Sequence, residues 1–150
     1  MNAFNHIEHV YFLGIGGIGM SALARYFNHA GFEVSGYDRT KTELTSKLES
    51  EGIAIHYKDK PEAISSFNKE KCLVVYTPAV PADLAERAFL EQNGFTLKKR
   101  SEVLGMICST GQCAAVAGTH GKTSVSTMLA HLMISSSIGC SAFLGGLSKN

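Results

Sequence analysis

Apolar and polar positions recur along this chain in one order: a short apolar run, a turn carrying glycine, then an apolar stripe at helical spacing. The run His9-Val10-Tyr11-Phe12-Leu13 stops at Gly14 and reads as a buried strand. Met20, Leu23, Ala24 and Phe27 then fall on one face of a helix closed by Ala30-Gly31. Glu33 to Tyr37 predicts a second strand ending at Asp38, and Thr40-Lys41-Thr42-Glu43 fits a capping box ahead of Leu44 and Leu48. Gly52 closes that helix, and Ile53-Ala54-Ile55 predicts a third strand. Pro61 to Phe67 carries a weak helical pattern, and Cys72-Leu73-Val74-Val75-Tyr76 a strong strand stopped by Thr77-Pro78. Pro81 suits the first turn of a helix whose apolar face is Leu84, Ala85, Ala88 and Phe89, ended by Asn93-Gly94. Phe95-Thr96-Leu97 predicts a fifth strand, and Ser101 to Ile107 a helix.

The pattern then restarts. Ala114-Ala115-Val116-Ala117 predicts a strand, followed by a glycine-rich loop and a helix burying Val125, Met128, Leu129, Leu132 and Met133. Ala142-Phe143-Leu144 has the composition of one more strand. Strands alternating with helices imply an α/β fold: a Rossmann-like, mainly parallel sheet with helices on both faces. The small polar segment Cys108 to Cys113 divides the two units, so the expected domains are 1–107 and 108–150.

Composition narrows the classes. The chain has 150 residues, 45% hydrophobic and 18% charged, enough apolar material for a core. Its 14 basic and 13 acidic residues leave a net charge of +1, which disfavours nucleic acid or a membrane surface as partner. The first basic residue is Arg25, so a secretory n-region is not expected, and no apolar run suits membrane insertion. Cys72, Cys108, Cys113 and Cys140 form no C-x-x-C pair and read as small buried thiols of a reducing cytoplasmic protein.

Two loops carry candidate chemistry. Gly14-Ile15-Gly16-Gly17-Ile18-Gly19 is a G-x-G-x-x-G between strand and helix. On that reading Gly14 permits the tight turn, Gly16 lets backbone approach a diphosphate, and Gly19 lets helix pack on strand. The helix N-terminus favours the anion, and Asp38 is placed to accept from a ribose. NAD is the default ligand for such a fingerprint, which keeps an NAD(P)-binding oxidoreductase or regulatory module open.

The second loop, Gly118-Thr119-His120-Gly121-Lys122-Thr123, ends like a Walker A loop but is shorter, because Val116 stands where that pattern needs glycine. Consecutive N–H groups can cradle phosphates there, Lys122 can bridge β- and γ-oxygens, and the Thr123 hydroxyl can ligate Mg²⁺. An oxidoreductase would leave this loop without a role. Thr77 lies at a strand end, the usual crevice of such sheets. The run Lys98-Lys99-Arg100 reads as a solvated face, from which Arg100 can still turn toward that crevice. The histidines other than His120 show no ligand spacing and read as surface or boundary residues.

Together the loops resemble those of the Mur ligase family. Val116-Ala117-Gly118-Thr119-His120-Gly121-Lys122-Thr123 is similar to that family's ATP loop, and His120 points to the members that act first or recycle peptide. Gly14 to Ser21 resembles the start of the members that join L-alanine to UDP-N-acetylmuramate, and the recycling ligases typically depart from it. Ser35-Gly36-Tyr37-Asp38 and Thr77-Pro78-Ala79-Val80 are similar to those members' substrate-binding turns. The chain departs from the family at Tyr37, often a smaller residue, and around Ile55 to Asp59, where the family's Gly-His pair has no counterpart.

The resemblance implies a UDP-sugar site at Gly14, Ile15, Gly16, Gly17, Ile18, Gly19, Asp38, Arg39, Thr77, Pro78 and Ala79. It implies ATP at Gly118, Thr119, His120, Gly121, Lys122, Thr123 and Ser124, in the opening β-loop-α unit of a central ATP-binding domain. Lys122, Thr123 and His120 would be catalytic, and the Mg²⁺ ligands other than Thr123 would lie beyond Asn150. The implied reaction passes the γ-phosphoryl of ATP to the lactyl carboxylate of UDP-N-acetylmuramate, and the amine of L-alanine then displaces phosphate from the acyl phosphate. The fragment would bind UDP-sugar without being catalytically complete.

Overall fold

Four apolar residues in a row leave the strand β1 (His9–Leu13) no polar face, and the fold buries it on both sides. The computed structural model describes residues 4–146. The other strands are β2 (Glu33–Tyr37), β3 (Ala54–His56), β4 (Cys72–Tyr76) and β5 (Thr96–Lys99). All pair in parallel in the order β3-β2-β1-β4-β5, with Leu13 level with Tyr37 on one side and Tyr76 on the other.

Alternation along β1 and β4 builds two cores. Val10, Phe12, Leu73 and Val75 face α1 (Ile18–His29), α2 (Glu43–Ser50) and α4 (Arg100–Cys108), through Leu23, Phe27, Leu48 and Val103. Tyr11, Leu13, Cys72 and Val74 pack with Ile64 of the 3-10 turn Pro61–Ile64 and Leu90 of α3 (Ala85–Gln92). This is the expected parallel sheet covered on both faces. The weak pattern after Pro61 proves to be only that single tight turn.

Several local expectations are corrected. The capping box of α2 sits two residues later than predicted. Thr42 is the N-cap, its hydroxyl accepting from Thr45 N at 3.2 Å, while Thr42 N donates to Thr45 Oγ1 at 2.8 Å. Thr40 N instead donates to Asp38 Oδ1 at 3.1 Å. Helix α3 starts at Ala85, not at Pro81, because its cap comes from elsewhere in the chain. The Asp59 carboxylate accepts from Ala85 N at 2.8 Å and Glu86 N at 2.9 Å. The buried face of α3 is Glu86 with Leu90, not the apolar set chosen by spacing. Only Cys72 is a buried thiol, while Cys108, Cys113 and Cys140 are exposed.

The second unit differs most. Ala114 to Ala117 and Ala142 to Leu144 form no strand, since neither finds a partner strand among the described residues. Helix α5 (Lys122–Ser135) forms where predicted, yet none of its residues is buried. Val125, Met128 and Leu132 are 51%, 66% and 64% exposed, because among the described residues no sheet lies against that face. Phe143 reaches back to the first unit, its ring centroid 5.5 Å from that of Tyr26. Among the described residues no helix is long and apolar enough to cross a membrane.

Glu86 has no exposed side-chain surface and is the acceptor at the centre of a small polar network. Tyr11 Oη donates to its Oε2 at 2.5 Å and Lys60 N to its Oε1 at 2.8 Å, while His56 Nε2 lies 2.8 Å from the same Tyr11 hydroxyl. Burial holds the Glu86 carboxyl above the usual carboxylate range, against the lowering pull of those hydrogen bonds and of His56. A raised folded pKa stabilises the fold below the unfolded value, and that contribution is lost as pH rises through the folded one. Glu86→Gln keeps an acceptor for Lys60 N and a partner for Tyr11 Oη without the charge. Urea unfolding from pH 4.5 to 8 is therefore expected to show the glutamine variant gaining on wild type as pH rises, with parallel curves refuting the assignment. Glu86→Ala strips both donors of their acceptor and is expected to cost about 3 kcal/mol.

Candidate functional site

The strand order reverses between β1 and β4, so the connections leaving their C-terminal ends diverge and open a crevice there. The Gly14 to Gly19 loop leaves β1 on one side, and the turn Thr77 to Val80 leaves β4 on the other. That turn is closed by Val80 N donating to Thr77 O at 3.1 Å, and its buried Val80 packs on Gly14. A methyl group at Gly14 would come within 3.1 Å of Val80 Cγ2, and its φ of +81° suits glycine. Thr77 is half-buried at this junction, while Pro78 and Ala79 are exposed.

Most of the first loop's N–H groups are engaged within the protein. Gly14 N and Ile15 N donate to Tyr37 O at 2.8 and 3.1 Å, and Gly17 N donates to Gly14 O at 3.3 Å. Gly16 N donates to Asp38 Oδ2 at 2.7 Å. Asp38 thus fastens the loop to the end of β2, with its other oxygen held by Thr40 N. The absent Cβ of Gly16 makes room for that carboxylate and for Thr45, each 2.8 Å from where a methyl would sit. Ile15 is fully buried core. Ile18 N and Gly19 N, in the first turn of α1, donate to no acceptor among the described residues. They are the loop's two donors open to an anion.

Gly19 does not serve the packing of helix on strand. A methyl there would meet Arg100, with Nη1 at 3.2 Å and Cδ at 3.3 Å. The glycine that admits close backbone approach is Gly36 of β2, where a methyl would lie 2.6 Å from Phe12 O. Arg100, half-buried in the first turn of α4, takes the alternative the sequence left open for it, turning from the basic run toward the first turn of α1. The signal for it was its position directly after a strand end. Arg39 is exposed.

The second loop has the opposite character. None of the N–H groups from Thr119 to Ser124 donates to an acceptor among the described residues. Gly121, the N-cap of α5, has φ +76° and ψ −2°, a left-handed turn that suits glycine. Lys122 folds over its own loop, Nζ donating to Gly118 O at 2.6 Å and Thr119 O at 3.1 Å. His120, Thr123 and Ser124 are exposed, with Thr123 close to Gly145 and Gly146. Such a donor-rich loop with an ammonium group fits a polyphosphate. Among the described residues no cluster of three or more His, Cys, Asp or Glu side chains could hold a metal ion.

Comparison with known proteins gives the chain its family. The Mur ligase family, catalytic domain, matches residues 9–112. The chain is 55% identical over 148 residues to a UDP-N-acetylmuramate–L-alanine ligase of Phocaeicola vulgatus, covering 97% of this chain and 32% of that protein. Against the ligase of the same name from Christiangramia forsetii it is 51% identical over 154 residues, covering 100% and 34%. Among solved structures, UDP-N-acetylmuramate-alanine ligase from Thermotoga maritima superposes with a TM-score of 0.81 at 30% identity, over 93% of this chain and 32% of that one. A murein peptide ligase from Psychrobacter arcticus gives 0.77 at 26% identity, over 87% and 27%. The chain spans about a third of the length of the curated relatives it matches. The family match runs from β1 through both turns that flank the crevice to just past α4, and the chain belongs to the Mur ligase family.

Proposed function

We propose that this chain is the UDP-sugar-holding front of an ATP-dependent ligase that joins L-alanine to UDP-N-acetylmuramate. The observation that carries the reading is the pairing of two unlike phosphate loops in one short chain. One is braced by the protein at the β1/β4 crevice, and the other has every N–H from Thr119 to Ser124 open. Relatives at 51–55% identity across this chain, all bearing the L-alanine ligase name, favour that reaction over peptide recycling.

In this reading residues 1–107 bind the nucleotide-sugar. The Gly14 to Gly19 loop and the turn Thr77-Pro78-Ala79 flank the diphosphate and sugar, and Asp38 with Arg39 borders the ribose. Residues 108–150 open the ATP-binding domain. ATP would supply the phosphoryl group that turns a carboxylate into an acylating agent. The N–H groups of Gly118 to Ser124 would seat its phosphates, and Lys122 would leave its two carbonyls to neutralise charge on them. His120 stands in this loop where it can orient the sugar carboxylate, and Thr123 would lend its hydroxyl to Mg²⁺. The other magnesium ligands would be phosphate oxygens and residues outside this chain. The exposed apolar face of α5 would be covered by the remainder of that domain.

Calorimetry on this chain is expected to show binding of UDP-N-acetylmuramate and none of NADH, with no ligation on adding ATP, Mg²⁺ and L-alanine. Tight NADH binding with indifference to the UDP-sugar would instead favour a dinucleotide-binding module. Lys122→Ala is expected to leave UDP-sugar binding by this chain unchanged and to lower ligation by the full-length enzyme by at least about 10²-fold. Loss of UDP-sugar binding in a folded Lys122→Ala variant would show the two sites to be misassigned.

A further inference from the structure

Three of the four cysteines are exposed, and two of these meet. Cys108 Sγ and Cys113 Sγ lie 2.7 Å apart, within reach of any dissolved reagent. The other two thiols stand alone. Cys72 is buried in β4, and burial pushes its thiol up to about 12, which keeps it protonated and inert. Cys140 is exposed, but its sulfur faces a carbonyl, Ala130 O at 3.9 Å, and no second thiol among the described residues.

The end of α4 builds the meeting. Buried Val103 holds that helix to the sheet, and Cys108 is its last residue. Ser109 N then donates to Gly105 O and Thr110 N to Ile107 O, both at 3.0 Å. The hydroxyls of the same two residues donate to Met106 O and Ile107 O, each at 2.7 Å. These bonds turn the chain back on the helix end, and Cys113 arrives against Cys108. Gly111, between them, has nothing within 4 Å of where a methyl would sit, so the turn has room to adjust. The segment leads directly into the second glycine loop, whose Gly118 follows Cys113 by five residues. An exposed cysteine poised beside a second one that can resolve it is the arrangement of a thiol that responds to oxidants.

We propose that Cys108 and Cys113 are a redox-responsive dithiol, oxidised by low-molecular-weight disulfides of the glutathione class, whose internal disulfide fastens the end of α4 to the segment entering the second glycine loop. In the first step one cysteine thiolate attacks a sulfur of the small disulfide. A mixed disulfide forms, the small S–S bond breaks, and one small thiol leaves. The second cysteine then attacks the protein sulfur of the mixed disulfide, and a second small thiol leaves. Two protein thiols are oxidised, one small disulfide is reduced, and the two departing thiols carry away both protons. The ring closed has six residues, so its constraint falls on the turn itself. Exposure keeps the bond open to reduction, which makes it reversible. The inference holds whatever ligand the second glycine loop takes.

The test equilibrates the chain with mixtures of reduced and oxidised glutathione, blocks free thiols by alkylation and maps the bonds by mass spectrometry. An internal Cys108–Cys113 bond is expected, lost again on adding dithiothreitol. Because the folded turn already pairs the sulfurs, the folded chain is expected to keep the bond in a glutathione mixture at least about tenfold more reducing than the urea-unfolded chain does. Hydrogen exchange at the amides from 109 to 117 is expected to slow several-fold on oxidation, with β1 unchanged. Cys108→Ser and Cys113→Ser are each expected to stop at the mixed disulfide with glutathione, whereas Cys140→Ser still forms the internal bond. Melting curves confirm that each variant is folded, and the wild-type measurements carry the test for any that is not. Equal persistence of the bond in folded and unfolded chains overturns the pairing, as do mixed disulfides without an internal bond or pairing through Cys140. An internal bond that leaves exchange from 109 to 117 unchanged overturns the fastening.

Discussion

The central constraint is that β1 has parallel partners on both sides. Its neighbours β2 and β4 lie on opposite sides of it, so the connections leaving the C-terminal ends of β1 and β4 diverge. The gap this forces is where the glycine loop and the Thr77 turn meet. Both cores follow from the same strand, since its residues alternate between the faces and each face must be covered. The close fit of Gly36 against Phe12 O fixes the spacing of β2 on β1, and with it the position of Asp38.

From that frame the two glycine-rich loops acquire different physical characters. The first is rigid, its donors mostly tied to Tyr37 O and Asp38, so its shape is set before any ligand arrives. Preorganised donors lose little order on binding, so any ligand met by this loop would meet a shape already formed. The second lies outside the sheet, on an exposed helix, with its N–H groups free.

The strands and the first helix were legible because they rest on runs and stripes that need no distant partner to be recognised. The strand at Cys72 to Tyr76 and the buried face of α1 are found where the pattern puts them. What escaped the pattern depends on residues far apart in the chain. The start of α3 is set by Asp59, a cap supplied from 26 residues away, and its buried face contains a glutamate that no apolar stripe reveals. Gly16 and Gly19 were legible as glycines but not in purpose, since the groups that fill their missing side chains are Asp38, Thr45 and Arg100. The segment Ala114 to Ala117 has strand composition, but a strand exists only by pairing.

The clasp of Lys122 on its own loop would make any anion capture there an exchange reaction. The ammonium group already holds two carbonyl oxygens, so an incoming phosphate must outcompete them before gaining the charge. Measured affinity at that loop therefore reports a difference between two sets of charge-assisted hydrogen bonds, and strong phosphate contacts can coexist with modest net binding. The same clasp holds the lysine over Gly118 and Thr119 when no anion is there, while the loop's own N–H groups stay open.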